Sequence, residues 1–162
     1  MSGPSRIHLQ RARTRIGTAE MQSLVDAAPL HRELEMRVQS AGGGRIVIEA
    51  TASAAHLNAE GSGVVHGGIV ATLLDAAASF ALIALDGDDW STVDLRVDYF
   101  RPVPTGPLRI SGEVVHAGRR FGRASAALSY APSGQDCARA TGTFARAPTR
   151  GPASPSQEVG DQ

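Results

Sequence analysis

A chain of 162 residues is long enough to form one domain that buries roughly two thirds of its unfolded surface. Sixteen basic and sixteen acidic residues cancel, which removes the electrostatic footprint that nucleic acid or an anionic membrane surface would demand. All the basic residues are arginine in a chain rich in alanine and glycine, a composition that reads as codon bias rather than function.

Residues 1–17 carry four arginines and no acid and are expected to form a flexible arm. Thr18 is placed to cap a helix over 19–28, where Met21, Leu24, Val25 and Ala28 recur at helical spacing before Pro29 ends it. Alternation predicts a strand over 35–39, glycines 42–44 supply a turn, and 45–51 reads as the second strand of a hairpin. A small, polar loop from Ala52 to Val65 leads to an apolar helix over 69–85, which Asp86-Gly87-Asp88-Asp89 breaks. Ser91 to Phe100 alternates strictly, with Val93, Leu95, Val97 and Tyr99 on one face and Thr92, Asp94, Arg96 and Asp98 on the other. Strands over 108–116, 121–130 and 137–146 follow, with Gly118-Arg119-Arg120 turning the first pair. Residues 147–162, rich in Pro, Ser and Gly, are expected to be a disordered tail, leaving one domain over 18–146.

One helix far more apolar than the rest, beside six strands, implies an α+β fold whose antiparallel sheet wraps around that helix. At about the lower limit of a membrane span, with Asp75 near its middle, the 69–85 run reads as a buried core helix. A lone carboxylate in such a helix costs several kcal/mol unless paired, hydrogen-bonded or protonated, which marks Asp75 as a functional candidate whose pKa its apolar neighbours should raise. The helix opens at His66-Gly67-Gly68, where free backbone N–H groups and the absence of side chains suit an anion or a developing oxyanion. At ~1.5 Å per residue, Asp75 lies about 12 Å along the axis from Gly67, too far for both to act on one carbonyl. A two-fold dimer with antiparallel helices would bring one chain's Gly67 to the other's Asp75.

His66-Gly67-Gly68, six residues, then Asp75, together with Val93-Asp94-Leu95 and Tyr99-Phe100-Arg101-Pro102, resembles the PaaI-like branch of the hotdog-fold acyl-CoA thioesterases, from about Leu34 to Phe144. The resemblance implies a hydrolase acting on an aryl- or fatty-acyl-CoA, in which the Gly67 amide polarises the thioester carbonyl and Asp75 of the facing subunit is general base or nucleophile. His66 and Gly68 would shape the turn, and Thr92, at a position the family often gives a hydroxyl residue, would orient the water. The family commonly has Asn six residues before the His; here Glu60 stands there and Asn58 is eight before. Either the loop over 60–63 bulges by two residues and Asn58 still reaches the site, the favoured reading, or that contact is missing. Arg101, Arg119, Arg120 and Arg123 are candidates to meet the phosphates of coenzyme A.

No cofactor is expected, coenzyme A being part of the substrate, and the partners expected are acyl-CoA and copies of the chain as a homodimer or dimer of dimers. No metal is expected either, because the five histidines and the single Cys137 lack metal-ligand spacing, and His8, His31, His56 and His116 read as surface or packed residues. No Gly-x-Ser-x-Gly elbow is present, and no His follows Asp75 before His116, which counts against a hotdog hydratase. Without a secretory signal, a cytoplasmic location is the default expectation. The alternative from another class is a non-catalytic acyl-CoA-binding or sensing module of the same fold.

Overall fold

A computed structural model describes residues 16–147, so the expected arm and tail lie outside the described residues except for Ile16, Gly17 and Ala147. The first helix, α1 (Thr18–Asp26), buries Met21 and Val25 and exposes Leu24. Its N-cap is Gly17 rather than Thr18, because the Gly17 carbonyl already accepts the Met21 N–H at 2.9 Å. Pro29 does end this helix, but it also begins another, α2 (Pro29–Glu33), with proline in the first turn where its missing N–H costs nothing. Glu35 and Met36 send their N–H groups back to the carbonyls of Arg32 and His31, and Glu35 takes φ 49°. The first strand, β1 (Arg37–Gly42), therefore starts two residues later than alternation predicts.

The hairpin partner is β2 (Arg45–Ala52), and the loop after it holds one short turn of 3₁₀ helix over Ala54–His56. Then come α3 (Gly67–Asp86), β3 (Trp90–Tyr99), β4 (Gly106–Ala117), β5 (Phe121–Tyr130) and β6 (Gln135–Arg146). The six strands form one antiparallel sheet in the order β1-β2-β4-β5-β6-β3, so α3 carries the chain across the sheet's inner face to the far edge. That face supplies Ile46, Ile48, Leu108, Ile110, Ala124, Leu128, Ala138 and Phe144, all buried against the helix. The fold is the α+β hotdog expected: a sheet wrapped around one apolar helix. Although α3 is long and apolar enough to cross a membrane, its residues from Leu73 to Ala84 are mostly core.

The helix comes this close because β4 has Gly112 beneath it, where an added Cβ would press into the carbonyl oxygen of Ala77 and lie 2.7 Å from its carbon. Burial of α3 is not complete, however. Gly68, Thr72, Asp75 and Ser79, spaced as one helical stripe, stay partly exposed, so Asp75 is half-buried rather than enclosed. The sheet covers the opposite faces and leaves this one uncovered.

Strand β3 departs from strict alternation in a way that matters for the site. Its register against β6 shifts between Thr92 and Asp94: Thr92 faces Phe144, whereas Asp94 faces Thr143. Val93 is the extra residue of a β-bulge and is 58% exposed. Side-chain parity reverses across it, so Trp90 and Thr92 point to the helix side, and so do Leu95 and Val97 beyond it. Counting by twos puts Thr92 with Asp94, Arg96 and Asp98 on the polar face; the bulge puts it on the other.

Candidate active site

Asp75 projects from the uncovered stripe of α3 towards the start of β3. The Thr92 hydroxyl lies 2.9 Å from one carboxylate oxygen and 3.1 Å from the other and donates to them. Burial pushes the Asp75 pKa above the ordinary carboxylate range, and the Thr92 hydrogen bond and the charge of His31 draw it partly back. The group is thus more basic than a free carboxylate, held in orientation and still open on one side.

At the N-terminus of α3, His66 caps the helix by accepting the Gly68 N–H at its Nδ1, 2.9 Å away. A Cβ on Gly68 would crowd that ring at 3.0 Å, which accounts for glycine there. Nothing comparable holds at Gly67, where a Cβ would meet only the Tyr99 ring at an ordinary 3.6 Å. Its amide belongs to the first helical turn and has no partner within the helix, so a bare residue at this point leaves an N–H that a ligand oxygen can approach.

Gly67 lines a cavity of about 370 Å³ together with Asn58, Val70, Tyr99, Arg101 and Val103. Leu57 and Val65 pair as an isolated bridge, residues 59–63 loop out beyond them, and the Asn58 N–H donates to Val64 O at 2.9 Å, so Asn58 reaches the Gly67 cavity. Arg101 stands on its wall and donates to the Asp136 carbonyl at 3.0 Å. Asp75 does not line this cavity: within one chain the carboxylate and the His66-Gly67-Gly68 turn belong to different places. Arg119 and Arg120 lie elsewhere too, at the exposed β4–β5 turn, where their carbonyls accept from Arg146.

Two residues near these places escape sequence reading. Tyr99 donates its hydroxyl to the Gly67 carbonyl at 2.8 Å, although its motif marks only the end of a strand. His31, on α2, packs edge-on against Phe80 and has Nδ1 3.0 Å from the Val25 carbonyl, while its charge reaches Asp75. Its place beside the carboxylate depends on a helix that follows Pro29 unannounced. His56 is buried, holds the Ser53 N–H at Nδ1, and through its carbonyl accepts the His66 N–H at 2.8 Å. Among the described residues no group of three His, Cys, Asp or Glu side chains could hold a metal ion.

A model of the thioesterase superfamily matches residues 62–133. An X-ray structure of a protein from that superfamily shares 32% identity with a TM-score of 0.75, over 79% of this chain and 96% of that one. The chain belongs to the thioesterase superfamily. The enzyme class expected from the sequence, a thioester hydrolase, is the class this membership gives. Human acyl-coenzyme A thioesterase 13 is 26% identical over 125 residues, 73% of this chain and 88% of that protein. An esterase-like protein of Saccharolobus solfataricus is 31% identical over 83 residues, and the chain spans only 55% of its length. The PaaI protein of the E. coli phenylacetic acid degradation operon, 23% identical with a TM-score of 0.72 over 78% of this chain and 90% of that one, shares the fold.

Proposed function

We propose that the chain hydrolyses acyl-CoA thioesters in the cytoplasm as a homodimer or dimer of dimers, with each site built from two protomers. The observation that carries this reading is the pair of half-sites on α3: an amide left bare at Gly67 and a basic carboxylate braced by Thr92 at Asp75. The helix keeps them about 12 Å apart, so a facing protomer supplies the second half. The thioester carbonyl oxygen approaches the Gly67 N–H. Asp75 takes a proton from water as the water oxygen bonds to the carbonyl carbon, and negative charge collects on the oxygen at Gly67. Collapse of that adduct breaks the carbon–sulfur bond, and the proton on Asp75 passes to the departing thiolate of coenzyme A. Thr92 keeps the carboxylate aimed throughout, and Arg101 at the cavity wall is the cation best placed for the phosphates of coenzyme A.

Steady-state hydrolysis of a panel of aryl- and fatty-acyl-CoA esters tests the reading. The native chain should turn over at least one of them, and Asp75→Asn should lower kcat about 10²–10⁴-fold. Equal rates for the two proteins would remove Asp75 from the mechanism, and binding without turnover by the native chain would mark a non-catalytic module.

A further inference from the structure

We propose that Glu33 is a positioning residue for the loop that walls the Gly67 cavity: its carboxylate closes on the Nε2–H of the buried His56 and so roots that loop on α2. The inference rests on the proposed reaction in assigning the cavity to acyl-CoA. Its structural basis is independent.

Among the described residues His56 alone is both polar and buried. Its tautomer follows from its neighbours. Nδ1 accepts the Ser53 N–H at 2.9 Å, a role open only to an unprotonated nitrogen, so in the neutral ring the proton sits on Nε2. Nε2 in turn is shut off from solvent and has no hydrogen-bond partner among the described residues. A buried N–H without an acceptor is among the costlier defects a fold can carry, and native structures seldom keep one. One acceptor is close. An oxygen of the Glu33 carboxylate stands 3.8 Å from Nε2, about 1 Å beyond a hydrogen bond. The Glu33 side chain is 63% exposed and makes no hydrogen bond among the described residues, so rotation about its own bonds closes the gap.

What the contact holds is the outgoing arm of the loop over 53–66. The His56 carbonyl accepts the His66 N–H at 2.8 Å, Leu57 and Val65 pair as an isolated bridge, and the Asn58 N–H donates to the Val64 carbonyl. The return arm is fastened again to the next segment, where the Val65 N–H donates to the Val103 carbonyl and Val64 bridges Pro104. The outgoing arm is rooted through the His56 side chain, between Ser53 and Glu33. Glu33 is a fixed point for it: the residue ends α2, and the carbonyl of the following Leu34 accepts the Thr51 N–H of β2 at 2.9 Å. Asn58, Val64 and Val65, from the two arms, line the cavity beside Gly67. Slack at His56 is therefore slack in the cavity wall, and Glu33 acts on substrate through the loop and not by contact.

Glu33→Ala removes the acceptor, and Glu33→Gln restores one through its amide oxygen. Nitrogen-correlated NMR of the His56 ring reads the contact itself: wild type and Glu33→Gln should show a hydrogen-bonded Nε2–H, whose proton Glu33→Ala should shift upfield. A hydrogen bond of this kind, expressed in ground-state binding, raises KM for acyl-CoA about three- to ten-fold in Glu33→Ala with kcat within about two-fold, and Glu33→Gln should bring KM back to within about two-fold of wild type. Affinity for an inert S-alkyl-CoA thioether, measured by calorimetry, should follow KM. An unchanged KM overturns the proposal even if Tm falls, because the contact would then only support the fold. So does a Glu33→Gln protein as impaired as Glu33→Ala, and so does a His56 ring signal that ignores Glu33. Should wild type hydrolyse no acyl-CoA while thioether affinity falls in Glu33→Ala and returns in Glu33→Gln, the positioning role stands and the proposed reaction falls. A wild type that binds neither acyl-CoA nor the thioether overturns both.

Discussion

Replacing Gly112 by alanine should damage stability and activity together, through one contact. The new methyl would press into the Ala77 carbonyl, 2.7 Å from its carbon, with Ile46 Cγ2 at 3.1 Å on the other side. An ordinary carbon–carbon contact needs about 3.5 Å or more, so α3 must lift from β4 by close to 1 Å, because the obstacle is backbone and cannot rotate away. Overpacking of this kind costs about 1–3 kcal/mol, and the rigid neighbour places it near the top of that range. Alanine in a strand recovers about 0.5–1 kcal/mol of chain entropy relative to glycine, leaving a net loss of about 2 kcal/mol. For a domain of this size that lowers Tm by roughly 6–10 °C, measured by thermal unfolding at fixed protein concentration. Ser111→Ala, the exposed neighbour in β4, is the control and should stay within about 0.5 kcal/mol. Since Ala77 is two residues from Asp75, the lift also disturbs the Thr92 contacts, and acyl-CoA hydrolysis should drop about ten-fold or more. A Gly112→Ala protein with native Tm and rate would show that the helix does not rest on β4 as described.

Thr92→Val removes the hydrogen bond that draws the Asp75 pKa down, so that pKa rises further. A base works only above its pKa, and the acidic limb of the kcat/KM profile should therefore move to higher pH; an unmoved limb, or one displaced to lower pH, contradicts the assignment. Arg146→Met should destabilise the fold by about 3 kcal/mol in denaturant titrations, because it takes the Arg146 cation away from the largely buried carboxylates of Asp86 and Asp88. The same change removes a guanidinium lying 4.2 Å from the Trp90 ring and the bonds it donates to the Gly118 and Arg119 carbonyls.

The sheet was legible because alternation and glycine turns are local signals, and β5 has the bounds that alternation predicts. The central helix was legible by its apolar length, but that length hid the stripe of Gly68, Thr72, Asp75 and Ser79, so Asp75 reads as buried in sequence and is half-buried in structure. The five residues of α2, of which the proline is the first, carry too little periodicity to announce a helix, and the place of His31 near Asp75 went with it. The bulge at Val93 defeats counting by twos, since nothing in Thr92-Val93-Asp94 distinguishes an extra residue from a paired one. Tyr99 was visible as part of a motif, but its bond to Gly67 is a contact across 32 residues that no local pattern encodes.

The bulge also divides β3 into two pieces of opposite side-chain parity. Upstream, Trp90 and Thr92 face the helix side, where the buried Trp90 ring lies under the Arg146 guanidinium and the exposed Thr92 holds the carboxylate. Downstream, Asp94, Arg96 and Asp98 present a polar edge in register with Arg139, Thr141 and Thr143. Because a bulge lets local twist change without shifting the ladder on either side, substitutions at Asp94, Arg96 or Asp98 should leave the Thr92–Asp75 hydrogen bond in place. One strand can thus drift in its outward surface while its inward chemistry stays fixed.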